Sequence, residues 1–543
     1  MKIIAAIEAD FERTFLGTRS RLADELRGET ILRRTVRRVR AAGRLAGVHV
    51  LVPAAQADRA RTLLDGLDVR IETHDAAPVP WRNYLAAARK WSLDAWRGGL
   101  GGTCAFDEYL NPWLVEALAR RESADGVVCV PPAAVLIDPH LLDTLIEHFE
   151  SVRSDVRLAF TQSAPGLSAA VYMPALLADL AAAVQPLGRV MAYRPADPMR
   201  DMVMQPCFYA ADPVIMHTVG RCIADTDSGV ERVTRILEAR GEEVDALGAA
   251  RWLAEHAREP ARLPDEIEIE LTTDDPLAAS PLRPRGAALQ RSGHMSPETF
   301  ATILEQLAGR DDVRLVLGGF GDPLRHPEWP ALVQQARSAG VLGVAIRTSG
   351  LDLRDDMVHA LTAGGIDIVN VLVDATTPAT YRQLHGVDGL ETVTAGIERL
   401  ITATVQPRAG GLPLVVPEML KTRVNMGEQE AFYDTWLVRA GAAVIAGPSH
   451  YAGQWPDHAV MNMAPPARFA CYRIARRAMI LADGRMTVCD QDFRGAHALG
   501  NVRERTIADL WSDAFMQELR AAHASGVYDR FALCPRCDEW HRP

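Results

Sequence analysis

Short apolar runs rich in valine and isoleucine alternate with helical stretches almost from end to end, the pattern of α/β layers. The first run, Lys2-Ile3-Ile4-Ala5-Ala6-Ile7, reads as a buried strand; a polar loop and an arginine-rich amphipathic helix over about Ile31 to Ala46 follow. Val48–Pro53 and Gly126–Pro131 read as further strands. At Asp138-Pro139 a helix should start, with the aspartate as cap and the proline in the first turn. Arg33, Arg34, Arg37, Arg38 and Arg40 spread around the exposed face of the first helix, so a solvated face is predicted rather than a phosphate patch.

A loop-rich segment around Glu255 to Pro264 ends this block. Six strand-like runs follow, most with a helix behind them: Ile267–Thr273, Val313–Gly319, Val344–Thr348, Ile368–Asp374, Leu414–Met419 and Ala443–Ala446. Repeated βα units of this length build a parallel sheet curved into a barrel, and six units fit a partial barrel better than a closed one. The expected division is 1–255 for an N-terminal α/β domain with its connecting segment, 262–460 for the partial (β/α)6 barrel and 465–543 for a short cysteine-bearing domain.

Composition narrows the function classes. The chain has 543 residues, 48% apolar and 24% charged, within the range of ordinary soluble proteins. Acidic residues outnumber basic ones by 70 to 59, a net charge of -11 that argues against nucleic acid as the main partner. No stretch approaches the roughly eighteen apolar residues of a membrane span. The opening run meets Glu8 and Asp10 too early for a signal peptide, so a cytoplasmic, reducing location is expected. Eight cysteines are too few for a disulfide scaffold.

Four of them gather at the end. Twelve residues separate Cys471 from Gly484, four more separate Gly484 from Cys489, and Cys534-x-x-Cys537 closes the set. Four thiols in a small segment read as a metal-ligand set, for tetrahedral zinc or for a [4Fe–4S] cluster. Gly484 is expected in a hairpin turn between Met479–Leu481 and Met486–Val488, with a helix from Ile507 to about His523 returning the chain to the last pair.

The segments AMILADGRMTVCDQD, LGNVRERTIADLWSDAFMQELR and CPRC resemble the SPASM domain that follows the barrel in many radical SAM enzymes. That resemblance implies iron–sulfur rather than zinc at Cys471, Cys489, Cys534 and Cys537. The chain runs six residues past Cys537, so one cluster is expected at most. The barrel carries further likenesses: Leu317-Gly318-Gly319-Phe320-Gly321-Asp322-Pro323 is similar to the family's GGxGEP motif, and Arg347-Thr348-Ser349-Gly350 to its Thr-Asn-Gly turn. Val371–Asp374 with Tyr381 and Leu384-His385-Gly386 resembles its fourth strand and helix. The resemblance implies that Gly318, Gly319 and Asp322 are a vestigial site for the amino group of S-adenosylmethionine. An active member carries Cys-x-x-x-Cys-x-x-Cys after the first strand, whereas here the three positions fall on Asp275, Ala279 and Leu282. No cysteine lies between Cys222 and Cys471, so the barrel is expected to be a pseudoenzyme.

Residues 1 to about 185 resemble the sugar-nucleotide cytidylyltransferases and GT-A-like transferases, through Gly17–Leu22, Gly28–Leu32, Asp125–Val128 and Leu136–Pro139. In those enzymes a lysine binds triphosphate where Glu25 stands here, and a metal-binding aspartate stands where Ala133 does. Arg19 and Arg21 remain as phosphate contacts. Asp107-Glu108 reads as a surface loop pair, with a substitute magnesium site as the alternative. The expected protein is a non-catalytic or electron-relay iron–sulfur component, with a protein or redox partner. The alternatives are a transferase acting through its N-terminal nucleotidyltransferase-like domain and a zinc-stabilised binding scaffold.

Overall fold

The computed structural model describes residues 1–98, 100–192, 201–405 and 411–542. The chain divides into two units, Met1–Ala257 and Arg258–Pro543.

In the first unit the strands are β1 (Ile3–Glu8), β2 (Glu25–Leu26), β3 (Glu29–Thr30), β4 (Gly47–Pro53), β5 (Arg70–His74), β6 (Gly126–Cys129), β7 (Leu158–Phe160) and β8 (Ala170–Tyr172). Six of them form one sheet in the order β5-β4-β1-β6-β8-β7, parallel from β5 to β6 and antiparallel beyond. β1 is buried along its length because both faces are covered, which accounts for its continuous rather than alternating apolar run. Asp138 caps the helix Pro139–Val152 as expected, accepting from the His140 and Leu141 N–H groups.

The arginine-rich helix spans Ile31–Arg40 and stops short of Ala46. The Asp143 carboxylate takes the N–H groups of Gly43 and Arg44 at 2.9 and 2.8 Å, which draws the chain out of the helix. Two of its five arginines correct the solvated-face expectation, while Arg33, Arg37 and Arg40 stay partly exposed. Arg34 and Arg38 are only 3% and 2% exposed. Arg38 donates to the carbonyls of Ile137, Glu242 and Val244, and Arg34 pairs with Glu242 at 2.7 Å. Buried guanidinium groups need several acceptors, and for Arg38 distant backbone supplies them.

In the second unit the six expected barrel strands are present: β9 (Glu266–Glu270), β10 (Arg314–Gly318), β11 (Gly343–Thr348), β12 (Ile368–Leu372), β13 (Leu414–Leu420) and β14 (Val444–Ala446). They pair in sequence order and in parallel. β15 (Arg477–Ile480), β16 (Arg485–Thr487) and β17 (Ala498–Asn501) follow from the cysteine-bearing segment. β15 pairs in parallel with β9, so barrel and C-terminal hairpin share one nine-stranded sheet in the order β14-β13-β12-β11-β10-β9-β15-β16-β17. One apolar core runs through both, joining Ile269, Leu315 and Val371 of the barrel to Ile480, Met486 and Trp511. The helix expected from Ile507 to His523 is two, Ile507–Trp511 and Ala514–Ala524, because Asp513 caps the second through the Phe515 N–H. Among the described residues no helix is long and apolar enough to cross a membrane.

Candidate metal centre

Gly484 turns the hairpin between β15 and β16 at φ +84°, with the Asn501 side chain 2.9 Å from where a Cβ would stand. The turn returns Cys489, just past β16, towards Cys471, which precedes the short helix Arg473–Arg476 leading into β15. Cys534 and Cys537 flank a single 3-10 turn. The four sulfurs form one electrostatic group: Cys534 and Cys537 act on Cys489, and Cys471 acts on both.

Burial pushes the Cys534 and Cys537 thiols up to about 12 and raises Cys471 and Cys489 as well. Opposing it, backbone N–H groups point at three of the sulfurs: those of Ile474 and Arg473 at Cys471, Gln491 at Cys489 and Glu539 at Cys537, the last at 3.3 Å. Such N–H groups favour the thiolate, the form that binds metal. Arg473 reaches from Asp490, beside Cys489, to Glu539, two residues past Cys537, and so joins the two ligand segments. Arg468 donates to the Cys534 carbonyl at 2.9 Å, and the Cys471 N–H donates to His523 Nδ1 at 3.4 Å. Burial pulls His523 down to about 4, so its ring stays neutral.

The spacing tests which ion fits. A single zinc draws four sulfurs to about 2.3 Å from one point. Among the described residues these thiols form no group of three within 4.8 Å of one another. A cubane holds each sulfur on a different iron, farther apart, and the donor set suits it.

At the barrel mouth the loop after β9 is built differently from a cluster loop. Asp275 is buried and accepts from Arg285 Nε at 2.8 Å and from the Leu277 N–H. Arg283 Nη2 lies 4.0 Å from the same carboxylate. Leu282 is buried and Ala279 exposed. Ser280 Oγ is 3.0 Å from His385 Nδ1, and His385 Nε2 is 3.3 Å from Asp374 Oδ2. Arg283 and Arg285 escaped the sequence reading; their only signal is Arg-Pro-Arg directly after the third ligand position.

The motif residues of the barrel have internal partners. Asp322 accepts from Thr348 Oγ1, the Ser349 N–H and Ser349 Oγ at 2.7–2.9 Å, and from the Leu324 N–H at 3.1 Å. The Gly319 N–H donates to Glu268 at 2.9 Å. A Cβ on Gly319, at φ +81°, would stand 2.7 Å from the Glu270 Cβ, so close strand approach by itself demands glycine there. Phe320 packs against Tyr451 and Phe493, with centroids 5.9 and 6.1 Å apart, and with Met479 fills the space between β10 and the C-terminal hairpin.

In the N-terminal unit Arg19 is bonded twice to Asp24 and Arg21 pairs with Asp227 at 2.6 Å. Glu25 is exposed and Ala133 is buried. Asp107 and Glu108 correct the surface-loop expectation, since both are 3% exposed. Glu108 accepts from Arg89 at 2.9 Å and Arg221 at 2.8 Å; burial would raise its pKa, but the two guanidiniums hold it below the usual range. Asp107 accepts from the Gly188 and Cys104 N–H groups.

Comparison with known proteins matches two stretches of the second unit to family models. Residues 282–425 match the Radical SAM superfamily, and residues 471–538 match SPASM, an iron–sulfur cluster-binding domain. An uncharacterized protein of Treponema pallidum is 28% identical over 336 residues, 59% of this chain and 86% of that one. The PqqA peptide cyclase of Ruegeria pomeroyi is 28% identical over 171 residues, 31% of this chain and 42% of the cyclase, so the likeness covers less than half of that enzyme. A cytidylyltransferase structure from Leptospira borgpetersenii is 15% identical, covering 47% of this chain and 95% of that one at a TM-score of 0.33. The barrel and the cysteine-bearing C-terminal segment are thus the parts of the chain that match family models, the Radical SAM superfamily over residues 282–425 and the SPASM iron–sulfur cluster-binding domain over residues 471–538.

Proposed function

We propose that this protein is an electron-relay or otherwise non-catalytic iron–sulfur component, in which Cys471, Cys489, Cys534 and Cys537 hold one [4Fe–4S] cluster and the barrel does not cleave S-adenosylmethionine. The observation that carries this reading is the contrast between two loops. The C-terminal loops aim backbone N–H groups at their sulfurs, whereas the loop after β9 has Asp275 bound to Arg285 where the family places its first thiolate. Bound at the four cysteines, the cluster supplies one-electron storage and transfer. The chain's own part is to stabilise thiolate charge through the N–H groups of Arg473, Ile474, Gln491 and Glu539. Arg473 holds the two ligand segments in register. An electron relay implies a redox protein as partner.

Anaerobically purified full-length chain should carry about four irons with matching sulfide, and its absorbance should bleach with dithionite. Colourless protein with one zinc would replace the cluster by a zinc-stabilised scaffold. Incubation with S-adenosylmethionine and dithionite should give no 5′-deoxyadenosine above background, and several turnovers of that product would refute the non-catalytic reading.

A further inference from the structure

Four buried polar atoms at the barrel mouth have no hydrogen-bond partner: Arg283 Nε, Arg285 Nη1, Tyr381 Oη and His385 Nε2. Their residues are 9%, 4%, 0% and 1% exposed. They form one neighbourhood at the C-terminal ends of β9 and β12. Arg283 and Arg285 share Asp275, the Tyr381 and His385 rings are 4.5 Å apart, and Tyr381 feels the charges of Asp374, Arg285 and Asp275. Two of the four atoms, the arginine nitrogens, are obligate donors; the tyrosine hydroxyl can donate, and so can the histidine nitrogen in one tautomer. The nearby acids do not satisfy them. Asp275 gives its Oδ1 to the Leu277 N–H and its Oδ2 to Arg285 Nε, while Asp374 takes the Leu420 N–H at 2.6 Å. Asp374 Oδ2 is 3.3 Å from His385 Nε2 without forming a hydrogen bond.

We propose that the barrel mouth is a binding site for an oxyanion, the carboxylate or phosphate of a small ligand, held by Arg283, Arg285, Tyr381 and His385. A buried donor without an acceptor is destabilising, and a set of them around two guanidinium groups calls for an acceptor that carries charge. The state of Arg285 agrees: burial and the like charge of Arg283 pull its pKa down to about 10, which an added anion would reverse. The position is the usual one for ligands of βα barrels, at the C-terminal ends of the strands. Loss of the cluster thiolates here accompanies a change of ligand chemistry, from a metal cluster to an anion. This inference does not rest on the C-terminal cysteines, and either can fail without the other.

Calorimetric titration of the full-length chain, dialysed into chloride buffer at matched ionic strength, tests it with inorganic phosphate and with succinate as separate probes. One saturable site per chain is expected for at least one of them. A preference for phosphate identifies a phosphoryl ligand and a preference for succinate a carboxylate. Arg285→Gln and Arg283→Gln should each weaken binding about ten-fold or more. Tyr381→Phe keeps the ring packing and Arg285→Lys keeps the charge; both should weaken binding several-fold, and they decide the matter if the glutamine variants do not fold. No saturable heat with either anion, or binding unchanged in Tyr381→Phe and Arg285→Lys, would overturn the assignment.

Discussion

Arg473 bridges two cysteine-bearing segments that lie far apart in the chain, its guanidinium donating to both Asp490 and Glu539. Removing a partner from a buried ion pair leaves an uncompensated charge and costs about 3–5 kcal/mol. Arg473→Ala should therefore lower thermal stability and iron content together, measured by calorimetry and metal analysis on the same sample. At the other end of the chain, burial raises Glu8 to about 7 despite the nearby Arg82, and its Oε2 has no partner. An acid with a folded-state pKa above its unfolded value near 4.5 keeps its proton longer in the folded state, so stability falls as pH rises from about 4.5 to 7 and is level above. Glu8→Gln should remove that fall, gaining about 3 kcal/mol at pH 8 and little at pH 4 in denaturant titrations. At this scale the gathering of four cysteines in the last residues of the chain was legible because it is a property of spacing alone. Arg34, Arg38, Asp107 and Glu108 were not, because their burial depends on partners tens to hundreds of positions away.

Among the barrel strands β10 and β12 were legible as largely apolar runs because they are buried almost throughout, whereas β9, Glu-Ile-Glu-Ile-Glu, shows the alternating pattern instead. Helix ends were less so. Ile31–Arg40 stops early on a carboxylate from Asp143, and the last helical stretch is split by the Asp513 cap. The loop after β9 shows an element rebuilt around a new contact. Asp275→Ala should leave Arg285 buried without its carboxylate and lower stability by about 3–5 kcal/mol, read from the urea midpoint at constant m-value. Gly319 illustrates the opposite case, a motif residue that strand packing requires: its position lies against Glu270, which explains glycine there without any ligand.

Each unit has apolar cores of its own, and the cysteine-bearing segment shares the core of the barrel. Residues 1–257 expressed alone should give a cooperative unfolding transition in circular dichroism. Residues 465–543 expressed alone should not, even with iron and sulfide supplied, because β15 takes its pairing from β9 and its apolar contacts from the barrel. Truncation after residue 464 should likewise expose the β9 edge and give insoluble barrel. The sequence by itself determined the strand order of the barrel, the cysteine quartet, the absence of cluster thiolates after the first barrel strand and the family likeness, all properties of neighbouring positions and of spacing. Only the tertiary structure decided which charges are buried and with whom. It set Asp275 on Arg285, Asp322 on Thr348 and Ser349, and Glu108 between two arginines, and it left four donors at the barrel mouth without acceptors. The physical reason is range. Apolar patterning and ligand spacing act over a few residues, whereas the state of a buried charge is set by every group that surrounds it once the chain has closed.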